Sequence, residues 1–114
     1  MGALSRRKGI KVEREIVNLH RGLGIAAERV PLSGATGYND NPEDVDIYPW
    51  GTEEAPLCCQ VKAMNGPRGT KGIIDALADA DALFLRYDAE NGKVRPPLVV
   101  LPWNTWEKLL KPKR

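Results

Sequence analysis

The chain is poor in sulfur, imidazole and phenylalanine: its 114 residues include only two Cys, two Met, one His and one Phe. The two cysteines, Cys58 and Cys59, are adjacent. Successive side chains in a strand face opposite ways, so a disulfide between them is not expected. No Cys-x-x-Cys or Cys/His spacing is present, which argues against a zinc site. The expectation is a reduced, intracellular, cytoplasmic protein. His20 falls inside a helical pattern and reads as a helix-face or core residue rather than a general base. No apolar run approaches the ~20 residues needed to span a bilayer. The opening MGALSRRKG is basic but has no apolar segment behind it, so it is not expected to act as a secretory signal. Arg6 stands where a myristoylation signal requires Ser or Thr.

What is present suits one domain over residues 1–114, with a hydrophobic share of 42% that is ordinary for a globular protein. The net charge of +2 hides an uneven distribution. Arg6, Arg7, Lys8, Lys11, Arg14, Arg21 and Arg29 crowd the opening stretch, and Lys108, Lys111, Lys113 and Arg114 the end. Between them lie Asp40, Glu43, Asp44, Asp46, Glu53 and Glu54. Basic flanks around an acidic centre fit a phosphate-binding surface surrounding a cation pocket; scattered solvated charge would look the same.

Periodicity predicts a first helix from about Ser5 to Arg21, with Ser5 as its N-cap and Gly22 or Gly24 as its stop. Its apolar stripe is Ile10, Val12, Ile16, Leu19 and Leu23, with Glu13, Val17 and His20 alongside. Strands are predicted at 25–31, Val45–Tyr48 and Leu57–Lys62, with a loop rich in Ser, Gly, Asn and Pro at 32–42. A helix over Gly72–Leu83, strands over Leu83–Tyr87 and Leu98–Leu101, and a closing helix over Trp103–Leu110 capped near Asn104 or Thr105 complete the chain. The expected class is α/β, a central mixed sheet flanked by helices. Trp50, Trp103 and Trp106 read as core or interface anchors rather than base-stacking platforms.

The chemistry concentrates between Val45 and Lys62. Asp46 lies in one short apolar run, and Gln60 and Lys62 share a face of the next. A carboxylate, an amide oxygen and an ammonium converging on one spot suit metal-assisted phosphodiester cleavage. Glu13 offers a further oxygen from the basic helix. Taken singly, each residue could equally be a surface ion pair or turn chemistry. Arg68 and Lys71, in a Gly-rich stretch, could grip DNA or be merely solvated.

In order and together, these residues resemble the PD-(D/E)xK nuclease core. Arg7-Lys8-Gly9, three spacers, then Glu13-Arg14-Glu15-Ile16-Val17 resembles the opening of the archaeal-type Holliday junction resolvases. The likeness continues through Glu28–Ala35 (ERVPLSGA) to Val45-Asp46-Ile47 and Gln60-Val61-Lys62. It covers the first half of the chain well and the second only in outline; a compact bacteriophage version would suit this length, placing it in the host cytoplasm. The resemblance implies a restriction-endonuclease-like core. It also implies an endonuclease, dependent on Mg²⁺ with Mn²⁺ as a substitute, that resolves four-way junctions by paired nicks. Glu13, Asp46, the Gln60 amide oxygen and the Val61 carbonyl would hold the cation, and Lys62 would orient water or stabilise the transition state. Arg7, Lys8 and Arg29 would contact phosphates, and Ser33 would approach the scissile strand. Branched DNA and a homodimer are the implied partners, with Leu83, Phe84, Trp103, Trp106 and Leu110 as dimer-surface candidates; no membrane and no organic cofactor are implied. The family usually has Glu where this chain has Gln60, so one charge is missing; Asp44, on the same strand face as Asp46, can restore part of it. Another nuclease of this core (nicking, flap or restriction-type) or a non-catalytic branched-DNA-binding module are the alternatives.

Overall fold

The computed structural model describes residues 2–30, 44–63, 69–87 and 96–111. Its elements follow the order α1 (Gly2–Gly22), β1 (Ala26–Arg29), β2 (Val45–Tyr48), β3 (Leu57–Ala63), α2 (Thr70–Leu77), β4 (Ala82–Arg86), β5 (Leu98–Val100) and α3 (Trp103–Leu110). The strands form one sheet in sequential order. β1–β2, β2–β3 and β4–β5 are antiparallel, and β3–β4 is parallel. A parallel pair cannot be closed by a tight turn, and α2 lies on the crossover that joins this one. This mixed sheet flanked by helices is consistent with a restriction-endonuclease-like fold. Among the described residues, no helix is long and apolar enough to cross a membrane.

α1 begins earlier than the predicted Ser5, which lies inside the helix with Gly9. An interior glycine costs up to ~1 kcal/mol relative to alanine, and the buried face of this helix offsets it. That face is Val12, Ile16 and Val17, all under 5% exposed. The predicted stripe was set one step too far round: Leu19 and Leu23 are 52% and 78% exposed. In their place His20 turns inward. Its Nδ1–H donates to the Ile16 carbonyl (2.8 Å), and its ring meets Phe84 edge-on. The helix stops as its glycines suggest. Gly24 takes φ +83°, its N–H bonds the Arg21 carbonyl (3.0 Å), and the Ile25 N–H bonds that of His20 (3.0 Å). This 6→1 plus 5→2 pattern needs a left-handed residue at Gly24.

The sheet divides the core. Val45, Ile47, Leu57, Cys59, Val61, Ala82 and Phe84 pack on α1. Leu83 and Leu85 face the other way, under Ile73, Ala76 and Leu77 of α2. β4 is therefore covered on both faces. For that reason Leu83 and Phe84, 0% and 5% exposed, are core and not the surface residues the sequence suggested for a dimer contact. The second helix is shorter than predicted. It ends at Leu77 with Ala78 as its C-cap, whose φ of 51° turns the chain, and the buried Ala80 and Ala82 lead into β4. Asp81 secures that junction: its N–H donates to the Cys58 carbonyl (2.8 Å) and its Oδ2 accepts from the Cys58 N–H (2.8 Å). α3 is preceded by Pro102 rather than capped by Asn104 or Thr105. Thr105 is instead buried, and Leu101 and Leu109 pack against the α1-side core. Both cysteines are free thiols.

Candidate active site

β2 and β3 alternate strictly. Val45, Ile47, Leu57, Cys59 and Val61 are buried, while Asp46, Tyr48, Cys58 and Gln60 are half-buried and Lys62 is exposed. Since the buried set packs on α1, Asp46, Gln60 and Lys62 stand on the opposite face. Asp46 is registered with Cys58, which makes Gln60 its diagonal neighbour across the pair. Such diagonals lie about 7–8 Å apart at Cα. Gln60 and Lys62 share a face by strand alternation, and this register puts Asp46 on that face as well.

Glu13 approaches from the other side. Its side chain is 15% exposed and accepts a hydrogen bond from Arg29 Nε at 3.1 Å. Burial pushes its carboxyl above the ordinary carboxylate range. The Arg29 bond pulls the other way, the nearby charge of Asp44 adds to the rise, and Lys62 opposes it. Of the predicted site residues, Glu13 is thus in contact with Arg29 and feels the charges of Asp44 and Lys62, whereas Asp46 is not among the groups that act on it. Asp46 lies within β2. Burial raises its carboxyl too, its hydrogen bond with Cys58 lowers it, and the charge of Glu28 raises it. Tyr48, beside it on the same face, donates to Glu28 Oε2 (2.8 Å), and that bond pushes its hydroxyl up to about 12.

Asp44 joins these parts. Its N–H donates to the Cys59 carbonyl (2.9 Å), its own carbonyl accepts from the Val30 N–H (2.9 Å), and its Oδ2 accepts from the Val61 N–H (2.8 Å). Composition and spacing marked Asp44 only as extra charge, since its bond to Val61 depends on how β2 and β3 are registered.

Of the candidate DNA contacts, Arg29 uses one of its five guanidinium donors on Glu13. Lys71 is exposed and pairs with Asp75 one turn on, at 3.1 Å. Ser33 and Arg68 lie outside the described residues, as do the side chains of Arg7 and Lys8. Among the described residues, no three His, Cys, Asp or Glu side chains gather into a ready-made cation cage. Mg²⁺ does not require one, because it keeps several waters and takes only one or two carboxylates from the protein. An all-oxygen set suits such a hard cation. A partly desolvated carboxylate, Glu13, with the charge of Asp44 bearing on it is an arrangement that a cation would relieve.

Comparison with known proteins bears on the first half of this geometry. Residues 4–54 match the family of archaeal Holliday junction resolvases (Hjc), a span from α1 through β2 that contains Glu13, Arg29, Asp44 and Asp46. The chain is similar to that family over those residues; Gln60 and Lys62 lie beyond them. No curated protein and no solved structure matches the chain.

Proposed function

We propose that this chain is a metal-dependent endonuclease that resolves four-way DNA junctions by paired nicks, acting as a two-fold homodimer. The observation that carries the reading is the similarity of residues 4–54 to archaeal Holliday junction resolvases, a span that contains Glu13 and Asp46. Gln60 and Lys62 of β3, on the sheet face of Asp46, support it.

In this reading Glu13, Asp46, the Gln60 amide oxygen and the Val61 carbonyl would hold Mg²⁺, with Mn²⁺ as a substitute. The ion supplies charge neutralisation at the phosphate and a more acidic bound water. Lys62 steadies the negative charge that develops as water adds to phosphorus and the bond to the 3′-oxygen breaks. The products are a 5′-phosphate and a 3′-hydroxyl. Arg7, Lys8 and Arg29, with Ser33, Arg68 and Lys71, would contact the backbone. Selectivity then comes from junction shape rather than base edges.

Symmetric cleavage of two strands calls for two copies of one site, which a two-fold dimer provides. Trp103, Trp106 and Leu110 of α3 are exposed, as are Leu98 and Val99 on edge strand β5. The exposed residues of α3 are the apolar positions on which the second copy would sit.

One observation favours a second reading. Gln60 stands where the resembled nuclease motif carries an acid, which would suit a junction-binding module without cleavage. Incubating the protein with Mg²⁺ or Mn²⁺ and a mobile four-way junction, a linear duplex, a flap and a mismatch separates these readings. Symmetric paired nicks confined to the junction support resolution. Nicks on flaps or duplexes point to a different nuclease of this core. Binding with no cleavage of any branched DNA overturns the enzyme.

A further inference from the structure

We propose that Asp44 is a positioning residue whose carboxylate holds the Val61 amide, thereby fixing the Gln60-Val61-Lys62 segment of β3 so that Gln60 and Lys62 stay on the sheet face that carries Asp46. The proposal deepens the nuclease reading above and rests on it.

Three features of the strands support it. β2 pairs with β3 only as far as Val45↔Cys59, whereas β3 continues to Ala63 with β4 on its other side. Beyond Cys59, the β2-facing edge of β3 therefore has no strand partner among the described residues. A main-chain N–H left there would need another acceptor. Asp44 Oδ2 supplies it, 2.8 Å from the Val61 nitrogen. The carboxylate acts as a substitute strand.

Asp44 is itself held from two sides. Its main chain bonds Cys59 of β3 and Val30 just after β1, both at 2.9 Å. The acceptor is thus mounted on the main chain of its two neighbours and has little freedom to drift.

The Val61 amide is also the most effective point to hold. Val61 points into the α1 core, and Gln60 and Lys62 leave the strand on either side of it toward the opposite face. Lysine has a flexible four-carbon stem, so where its ammonium can reach depends on where its backbone is fixed.

Asparagine keeps an acceptor oxygen at this position, alanine removes it, and glutamate moves it by one methylene. The test compares Asp44→Asn, Asp44→Ala and Asp44→Glu in the full chain. The control is Asp81→Ala, which breaks the equivalent clamp on Cys58 three residues back along β3. Amide exchange at Val61 is read by NMR, Mn²⁺ affinity by calorimetry, and single-turnover junction cleavage by gel. In Asp44→Ala the Val61 amide should exchange about tenfold faster or more, matching a lost hydrogen bond. Its cleavage rate should fall toward ~100-fold, as misplacement by about an ångström can cause. Asp44→Glu should resemble Asp44→Ala. Asp44→Asn should restore Val61 protection and recover most of the rate, and Asp81→Ala should keep its rate within about twofold despite a comparable loss of stability.

Equal rate losses in Asp44→Asn and Asp44→Ala, with Val61 protected in the former, would mean that charge and not position matters, and would overturn the proposal. So would an equal loss in Asp81→Ala, or unchanged Val61 exchange in Asp44→Ala. Weaker Mn²⁺ binding in Asp44→Asn would make Asp44 a ligand instead. If wild-type protein cuts no junction, the resolvase reading falls by itself, and unchanged Val61 exchange in Asp44→Ala still overturns the clamp.

Discussion

Arg29 Nε donates a 3.1 Å hydrogen bond to Glu13 Oε1, tying the last residue of β1 to the middle of α1. Even so, burial leaves the Glu13 carboxyl above its ordinary value near 4.5. A carboxyl whose folded pKa exceeds its unfolded value contributes stability below the unfolded value, and loses it as pH rises through the folded one. At neutral pH the ionised Glu13 is therefore a net load on the fold. Glu13→Gln, which retains an acceptor for Arg29, should raise the metal-free melting temperature at pH 7.5 by about 2–4 °C. The gain should vanish as the pH falls toward 4.5 and below. Scanning calorimetry across that range checks the sign; in the proposed enzyme the same change should abolish cleavage.

Asp46→Asn should abolish junction cleavage while binding, measured by fluorescence anisotropy, stays within about threefold, because affinity rests mainly on phosphate contacts. Gln60→Glu should keep activity and lower the Mg²⁺ concentration needed for half-maximal rate, since a carboxylate adds charge to the ligand set. A Mg²⁺ titration of wild type and both variants distinguishes these outcomes.

Ile16 is 1% exposed, between α1 and the sheet. Ile16→Ala should cost about 2–5 kcal/mol, from lost burial plus the cavity left behind. Leu23→Ala, at a position 78% exposed, should fall within about 0.5 kcal/mol of wild type. Urea denaturation of both variants tests where the stripe of α1 faces.

Trp103 is 72% exposed and Trp106 is 43% exposed on the outer side of α3, where each is available to a second copy. Trp103→Glu with Trp106→Glu should shift sedimentation equilibrium from dimer to monomer while leaving far-ultraviolet dichroism unchanged. A wild-type protein that sediments as a monomer at all concentrations would remove the dimer. Leu83→Ala makes the contrast: it should destabilise the fold without a selective effect on association, because Leu83 is 0% exposed.

Local pattern was enough to determine β2 as Val45–Tyr48 and α3 as Trp103–Leu110, the element order and the glycine stop of α1. These follow from side-chain period and backbone freedom, which act over a few residues. The same period put Gln60 and Lys62 on one face of β3, and the RKG…ERE stretch pointed to the resolvase family; that Asp46 shares this face took the register of β2 on β3. Which residues face what across the fold was decided only by tertiary packing. The docking of α1 exposes Leu19 and sets the ring of His20 edge-on against Phe84; the sheet order makes Leu83 core; and the register of β2 on β3 delivers the Asp44 carboxylate to the Val61 amide. A helix or strand repeat states which side chains share a surface. Only the pairing and layering of elements distant in the chain can state what that surface meets.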